Sequence, residues 1–154
     1  MTVQLVRACA DDAHVIHRMQ REAFAELLEK YRDYDTIPGA EPEEKVRARL
    51  RQDWTYFYFI VADGEKVGAI RVADKNDGAP KRISPLFILP AYRNRGLAQA
   101  AIREAERLHG SENWSLGTIR QEAGNCHLYE KMGYHLSGTE TVVNEKMTII
   151  GYEK

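Results

Sequence analysis

Apolar and polar residues alternate from Val3 to Arg7, a period of two that predicts a short opening strand. Val15, Ile16, Met19, Ala23 and Leu27 then recur at helical spacing. Asp11 and Asp12 supply N-cap chemistry in front of them, so a helix is expected to about Lys30. The pair Pro38-Gly39 bars its continuation, and Pro42 followed by Glu43 and Glu44 begins a second helix with Val46 and Leu50 turned inward. Tyr56 to Ala62 is dense in aromatic and β-branched residues and reads as a strand. Asp63-Gly64-Glu65 turns the chain, Lys66 to Ala73 returns antiparallel, and after Asn76-Asp77-Gly78 the stretch Arg82 to Leu89 completes a meander. Leu97, Ala101, Ala105 and Leu108 follow helical spacing up to a stop at Gly110. Trp114 to Gln121 reads as a strand, 124 to 132 as a short helix, and 134 to 142 and 145 to 152 as closing strands. Strands fill the middle and helices flank them, which predicts an α+β sheet with covered faces.

One position breaks this pattern. Pro85 sits inside an otherwise buried strand, where proline removes a ladder donor. A bulge or a local splay is therefore expected around it, an edge strand being the alternative.

The junction after that strand carries the densest chemical signal. Ile88-Leu89-Pro90-Ala91-Tyr92-Arg93-Asn94-Arg95-Gly96-Leu97-Ala98 leads from strand through turn into an alanine-rich helix. Arginines at a helix N-terminus oppose the macrodipole, and a helix built for stability alone would carry Asp or Glu there. Arg93 and Arg95 beside Gly96 make sense as a cradle for a pyrophosphate, held by free backbone N–H groups and both side chains. A loop glycine with two solvated arginines is the plainer alternative. A second cluster follows about thirty residues later, in Asn125-Cys126-His127-Leu128-Tyr129-Glu130-Lys131-Met132-Gly133-Tyr134. Asn125 and Tyr129 are four apart and so share a helical face. A tyrosine hydroxyl there serves either as a general acid or as an ordinary core residue with a satisfied hydroxyl.

Arg93 to Ala98 resembles the Arg/Gln-x-x-Gly-x-Gly/Ala signature of the GCN5-related N-acetyltransferases, the GNAT family. The second cluster is similar to that family's Asn…Tyr-Glu-Lys-hydrophobic-Gly-aromatic segment, and the resemblance spans most of the chain. It implies one GNAT domain over 1–154. The fold implied is a mixed, mostly antiparallel sheet of about seven strands with splayed central strands, flanked by about four helices. The activity implied is transfer of the acetyl group of acetyl-CoA to a primary amine by direct attack in a ternary complex. A non-catalytic acyl-CoA-binding sensor of the same fold is the alternative.

By the same resemblance Arg93, Asn94, Arg95, Gly96, Leu97, Ala98 and Asn125 bind the cofactor. Phe87, Ile88 and Leu89 meet its pantetheine arm through their main chain at the splay, and Tyr129 protonates the departing thiolate. No acid or imidazole stands on the strand Ile83-Ser84-Pro85-Leu86-Phe87-Ile88, where many members of the family carry a base. Glu122 is the nearest carboxylate, as base or as helix cap, and a water chain is an equal alternative. The family's acceptor pocket draws on the segment between the first two helices. Residues 29–44 hold six acids against two bases, a net of −4, with Tyr31 and Tyr34 interleaved. Tyr31, Asp33 and Tyr34 are accordingly the candidate acceptor-binding residues, an acidic aromatic lip that would attract a cationic amine. A solvated loop is the alternative of equal weight.

Composition narrows the rest. The 154 residues suffice for one domain, and a net charge of −1 argues against a nucleic-acid or membrane partner engaged through a basic surface. No apolar run approaches membrane-spanning length, the N-terminus lacks the zones of a signal peptide, and Cys9 and Cys126 show no disulfide framework. A cytoplasmic protein is expected, and a homodimer is compatible with the chain. His14 and His17 lack further ligands at metal spacing, so no metal is expected.

Overall fold

The computed structural model describes residues 2–154. Seven strands form one sheet: β1 (Val3–Arg7), β2 (Thr55–Ala62), β3 (Glu65–Ala73), β4 (Lys81–Ile88), β5 (Trp114–Ile119), β6 (His135–Asn144) and β7 (Met147–Glu153). Their spatial order is β1-β2-β3-β4-β5-β7-β6, antiparallel throughout except for β4 against β5. Four helices cover it: α1 (Ala13–Tyr31), α2 (Glu43–Leu50), α3 (Leu97–His109) and α4 (Ala123–Lys131).

Alternation along the buried strands assigns each face its cover. Phe57 and Phe59 of β2, Ala69 of β3 and Phe87 of β4 pack with Ile16, Met19, Ala23 and Val46 of α1 and α2. Tyr58 and Ile60, Ile70 and Val72, and Ile83 and Ile88 point to the other face, against Leu97, Ala101, Ile102 and Ala105 of α3. Burial on both faces explains why β2 reads as an unbroken apolar run rather than an alternating one. On α3 the inward stripe differs from the periodicity reading at one end. Ile102 is fully buried, whereas Leu108 is 44% exposed.

The decisive feature is the seam between β4 and β5. These strands pair only at Lys81↔Trp114 and Arg82↔Ser115, and beyond that they diverge. The cause lies on β4. Val72 faces Ile83 and Ile70 faces Leu86, so two steps on β3 span three on β4, a bulge that contains Ser84 and Pro85. Proline offers no N–H to a neighbour, and the bulge re-aims the strand away from β5. Alignment with β3 recovers at Gly68↔Ile88, where an ideal Cβ on Gly68 would stand 2.1 Å from the Phe87 carbonyl oxygen. Only glycine permits that approach.

Candidate active site

Two cavities open from the splay. The first, about 410 Å³, lies between the end of β4, the N-terminus of α3 and α4. The second, about 340 Å³, lies between Thr36–Pro38, the Arg82–Leu86 side of β4, and β5 with β7. Phe24, Leu27, Leu86, Asn125 and Tyr129 line both, so the two chambers meet at these side chains.

Tyr129 is 9% exposed and packs against Tyr134 and Tyr152 at ring centroid distances of 6.0 and 6.1 Å. Burial pushes its phenol up to about 12, so it holds its proton at any physiological pH. The ring is fixed by packing, and the residue stands where the chambers join. Asn125, one turn earlier on α4, is exposed and lines both of them.

The N-terminus of α3 has no side-chain cap, and its first turn holds no acidic residue. The first intrahelical bond runs from the Ala100 N–H to the Gly96 carbonyl, which leaves the amides of Leu97, Ala98 and Gln99 without helical acceptors. All three residues line the first cavity. Asn94 and Gly96 both take left-handed backbone, with φ of 64° and 76°, and this bends the chain sharply into the helix.

The two arginines of this junction divide their labour. Arg93 donates from Nε to the Ile88 carbonyl at 3.1 Å and from Nη2 to the Ala23 carbonyl at 2.6 Å, tying β4 to α1. Arg95 is exposed, stacks 5.7 Å from the Tyr92 ring, and reaches only the Ala91 carbonyl, at 3.4 Å. Arg93 therefore braces the loop, and Arg95 remains available to a ligand.

Main-chain groups along β4 divide in the same way. The Leu89 amide donates to the Val67 carbonyl, and antiparallel alternation turns Phe87 the same way, toward β3. Leu86 and Ile88 then turn their N–H and carbonyl groups toward the opening, with the Ile88 carbonyl already held by Arg93.

Glu122 precedes α4 and lines the first cavity. Its carboxylate accepts from the Tyr31 hydroxyl at 2.5 Å and from Lys30 Nζ at 2.7 Å. Burial pulls the carboxyl upward, but these two hydrogen bonds outweigh it, and the net shift is below the ordinary glutamate value. It is correspondingly a weak base.

The acidic segment is organised differently from a lip. Asp33 is buried and accepts from the Asp35 amide at 3.0 Å, the Thr36 amide at 3.3 Å and the Thr36 hydroxyl, closing its own turn. Tyr34 is 65% exposed, and Tyr31 is buried with Ile37, Ile119 and Met147. None of the three lines either cavity. The segment contributes Thr36, Ile37 and Pro38 to the second chamber instead. Sequence reasoning also passed over Arg82, which lines that chamber from β4. The one signal for it was Pro85, whose splay exposes the neighbouring strand positions. His14 pairs with Glu43 at 3.0 Å and His17 with the Glu41 carbonyl at 2.9 Å.

A family profile described as an acetyltransferase (GNAT) domain matches residues 18–154. No curated protein matches the chain by sequence. Among solved structures, the chain is similar to the PaiA N-acetyltransferase of Thermoplasma acidophilum in complex with coenzyme A, at 16% identity over 100% of both chains, with a TM-score of 0.77. It is also similar to the spermidine N-acetyltransferase of Vibrio cholerae in complex with CoA and spermine, at 14% identity over 98% of this chain and 94% of that one, with a TM-score of 0.75. The ribosomal-protein-S18-alanine N-acetyltransferase of Escherichia coli gives 12% identity over 98% and 92%, with a TM-score of 0.73. At these identities the likeness is one of fold.

Proposed function

The chain belongs to the acetyltransferase (GNAT) family, and we propose that it moves the acetyl group of acetyl-CoA directly to a primary amine within a ternary complex. The observation that carries this reading is the meeting of two chambers at Tyr129: one fits the donor, the other an acceptor.

The residues of the donor chamber suit coenzyme A. The unpaired amides of Leu97, Ala98 and Gln99, with Arg95 beside them, fit a pyrophosphate at the α3 N-terminus. Leu86 and Ile88 offer main-chain groups in line with β4, where an amide-bearing arm would add as if it were a strand. Phe87 and Leu89 spend theirs on β3 and contribute packing. Asn94 and Arg93 shape the loop, and Asn125 offers an amide at the junction of the chambers.

An amine held in the second chamber attacks the thioester carbonyl with its nitrogen lone pair. As the C–S bond breaks, the sulfur takes the electron pair and needs a proton. Tyr129 donates it. A phenol raised to about 12 parts with its proton to a thiolate of ordinary acidity, near 8.5, only if the charge is made good elsewhere. The acetylated nitrogen must shed a proton at the same moment, and a residue between the chambers is suited to pass it along. Glu122, hydrogen-bonded by Lys30 and Tyr31, positions α1 over both chambers rather than acting as the base. A cytoplasmic, reducing setting fits the free thiols of Cys9 and Cys126, and the reading needs no membrane or nucleic-acid partner.

Release of free coenzyme A from acetyl-CoA across a panel of primary amines tests this. Turnover above the amine-free rate is expected. Tight acetyl-CoA binding by calorimetry without turnover for any amine would make the chain a sensor instead.

A further inference from the structure

Among the described residues that line the acceptor chamber, Arg82 is the one charged side chain. It takes part in no ion pair or hydrogen bond among the described residues. Its Nη2 atom lies 3.5 Å from where a Cβ on Gly117 would stand, so the guanidinium reaches from β4 to β5 across the mouth of the splay. The charges behind it have the same sign. Arg71 donates to the Ser84 carbonyl at 2.7 Å, and its Nε is buried without a partner. Glu41, whose charge acts on Arg71, is already held by Arg49 at 2.7 Å and Lys45 at 3.2 Å. The acids of the 29–44 segment supply none to the chamber, since Asp33 closes its own turn. The remaining wall is largely apolar, and its polar groups are neutral, those of Thr36, Ser84, Thr118, Asn125 and Tyr129.

On the reading of the chain as an acetyltransferase, we infer that the acceptor is a primary amine that also carries a carboxylate, which Arg82 binds, with an apolar body between the walls. An amino acid with an apolar side chain is the simplest compound of that class. A guanidinium with no protein partner presents its full fork to a carboxylate, and a two-point contact of that kind orients the amine toward Tyr129. A polyamine meets the opposite situation. Its second ammonium finds no carboxylate in the chamber, and meets the Arg82 guanidinium on its wall with Arg71 on the Ser84 carbonyl behind it. The spermidine acetyltransferase to which this chain is similar shares its fold, and the charge in this chamber separates the two in substrate.

Matched pairs test the inference. Leucine and leucinamide, phenylalanine and phenylalaninamide, and spermidine and 1,4-diaminobutane are compared as acceptors by coenzyme A release. Each is also titrated by calorimetry into the coenzyme A-loaded protein. The carboxylates are expected to exceed their amides by about tenfold or more in kcat/KM and in affinity, with spermidine and 1,4-diaminobutane at or below the amides. Arg82→Gln should collapse that ratio to about one while leaving coenzyme A affinity unchanged, and Arg82→Lys should restore part of it. Amides or polyamines favoured over carboxylates, no binding of either carboxylate, or a ratio that survives Arg82→Gln overturns the inference and leaves the acetyltransferase reading intact. Preferential binding of carboxylates with no turnover of any amine keeps the inference and removes the enzyme.

Discussion

The Tyr31 hydroxyl and the Glu122 carboxylate meet at 2.5 Å, joining the last residue of α1 to the residue before α4. Phe24 and Leu27, two turns or less before Tyr31, lie along both chambers, so this contact sets the height of their shared roof. Tyr31→Phe keeps the ring among Ile37, Ile119 and Met147 but removes the donor. A loss of about 1 kcal/mol in urea unfolding at neutral pH is expected.

The pH dependence of that contact follows from its sign. The carboxyl of Glu122 titrates below its ordinary value because Lys30 and Tyr31 outweigh burial. A carboxyl depressed on folding stabilises the native state above the unfolded value, near 4.3, and the stabilisation is lost as pH falls through the folded value. Glu122→Gln should therefore be less stable than the parent at pH 7, with the gap closing in acid. Urea midpoints measured from pH 7 down to about pH 3 check this, and a gap constant across that range would show that the charge is not what Glu122 contributes.

Arg93 and Arg95 are two residues apart and should fail in different ways. Arg93→Met leaves the Ile88 and Ala23 carbonyls without their donor, and a stability loss of about 2 kcal/mol is expected along with weaker coenzyme A binding. Arg95→Gln should leave the urea midpoint within error and weaken coenzyme A several-fold at low salt, with the difference shrinking as salt rises. Calorimetry at two ionic strengths, beside unfolding curves, separates the bracing role from the electrostatic one.

Much of this was legible in the chain, and the part that was not has a physical cause. Strand β1 follows from a period-two pattern, β2 from its aromatic and β-branched density, and β3 and β4 from the turn residues between them, all of which are local. Pro85 announced the splay because a missing N–H is a property of one residue. The roles of Arg93 and Asp33 were hidden, since a side chain that folds back onto carbonyls or amides looks in sequence like one that faces a ligand. Arg82 was hidden for another reason. Only the divergence of β4 from β5 decides that the guanidinium reaches into a cavity, and that depends on residues 115 to 119 as much as on its own strand.

Gly96 sits at φ 76°, and a Cβ there would meet no protein atom within 4 Å. The cost of a side chain in the folded protein is thus backbone strain of about 1 kcal/mol, not a clash. Asparagine tolerates this backbone better than valine does. Gly96→Asn should fold close to wild type and Gly96→Val should lose about 1 to 2 kcal/mol. Both should lose coenzyme A affinity well beyond their loss of stability, because any side chain intrudes where the backbone receives the pyrophosphate. Full affinity in a folded Gly96→Asn protein would move the anion elsewhere.

Tyr129 offers the sharpest test of mechanism. Phenylalanine keeps the contacts to Tyr134 and Tyr152 and removes a hydroxyl that takes no partner among the described residues, so stability and coenzyme A affinity should largely persist. Thiolate charge develops only after the amine has attacked, and the loss should therefore appear in kcat rather than in the acceptor KM. A fall of roughly a hundredfold is expected if Tyr129 contributes as general acids commonly do. With its phenol raised to about 12, Tyr129 remains protonated through the assay range. The parent should then show no descending limb from this group below about pH 11. Single-turnover rates are the proper readout, because slow product release hides a change in chemistry. A Tyr129→Phe protein with the parent's single-turnover rate would take the hydroxyl out of the reaction and leave the ring as a wall between the two chambers.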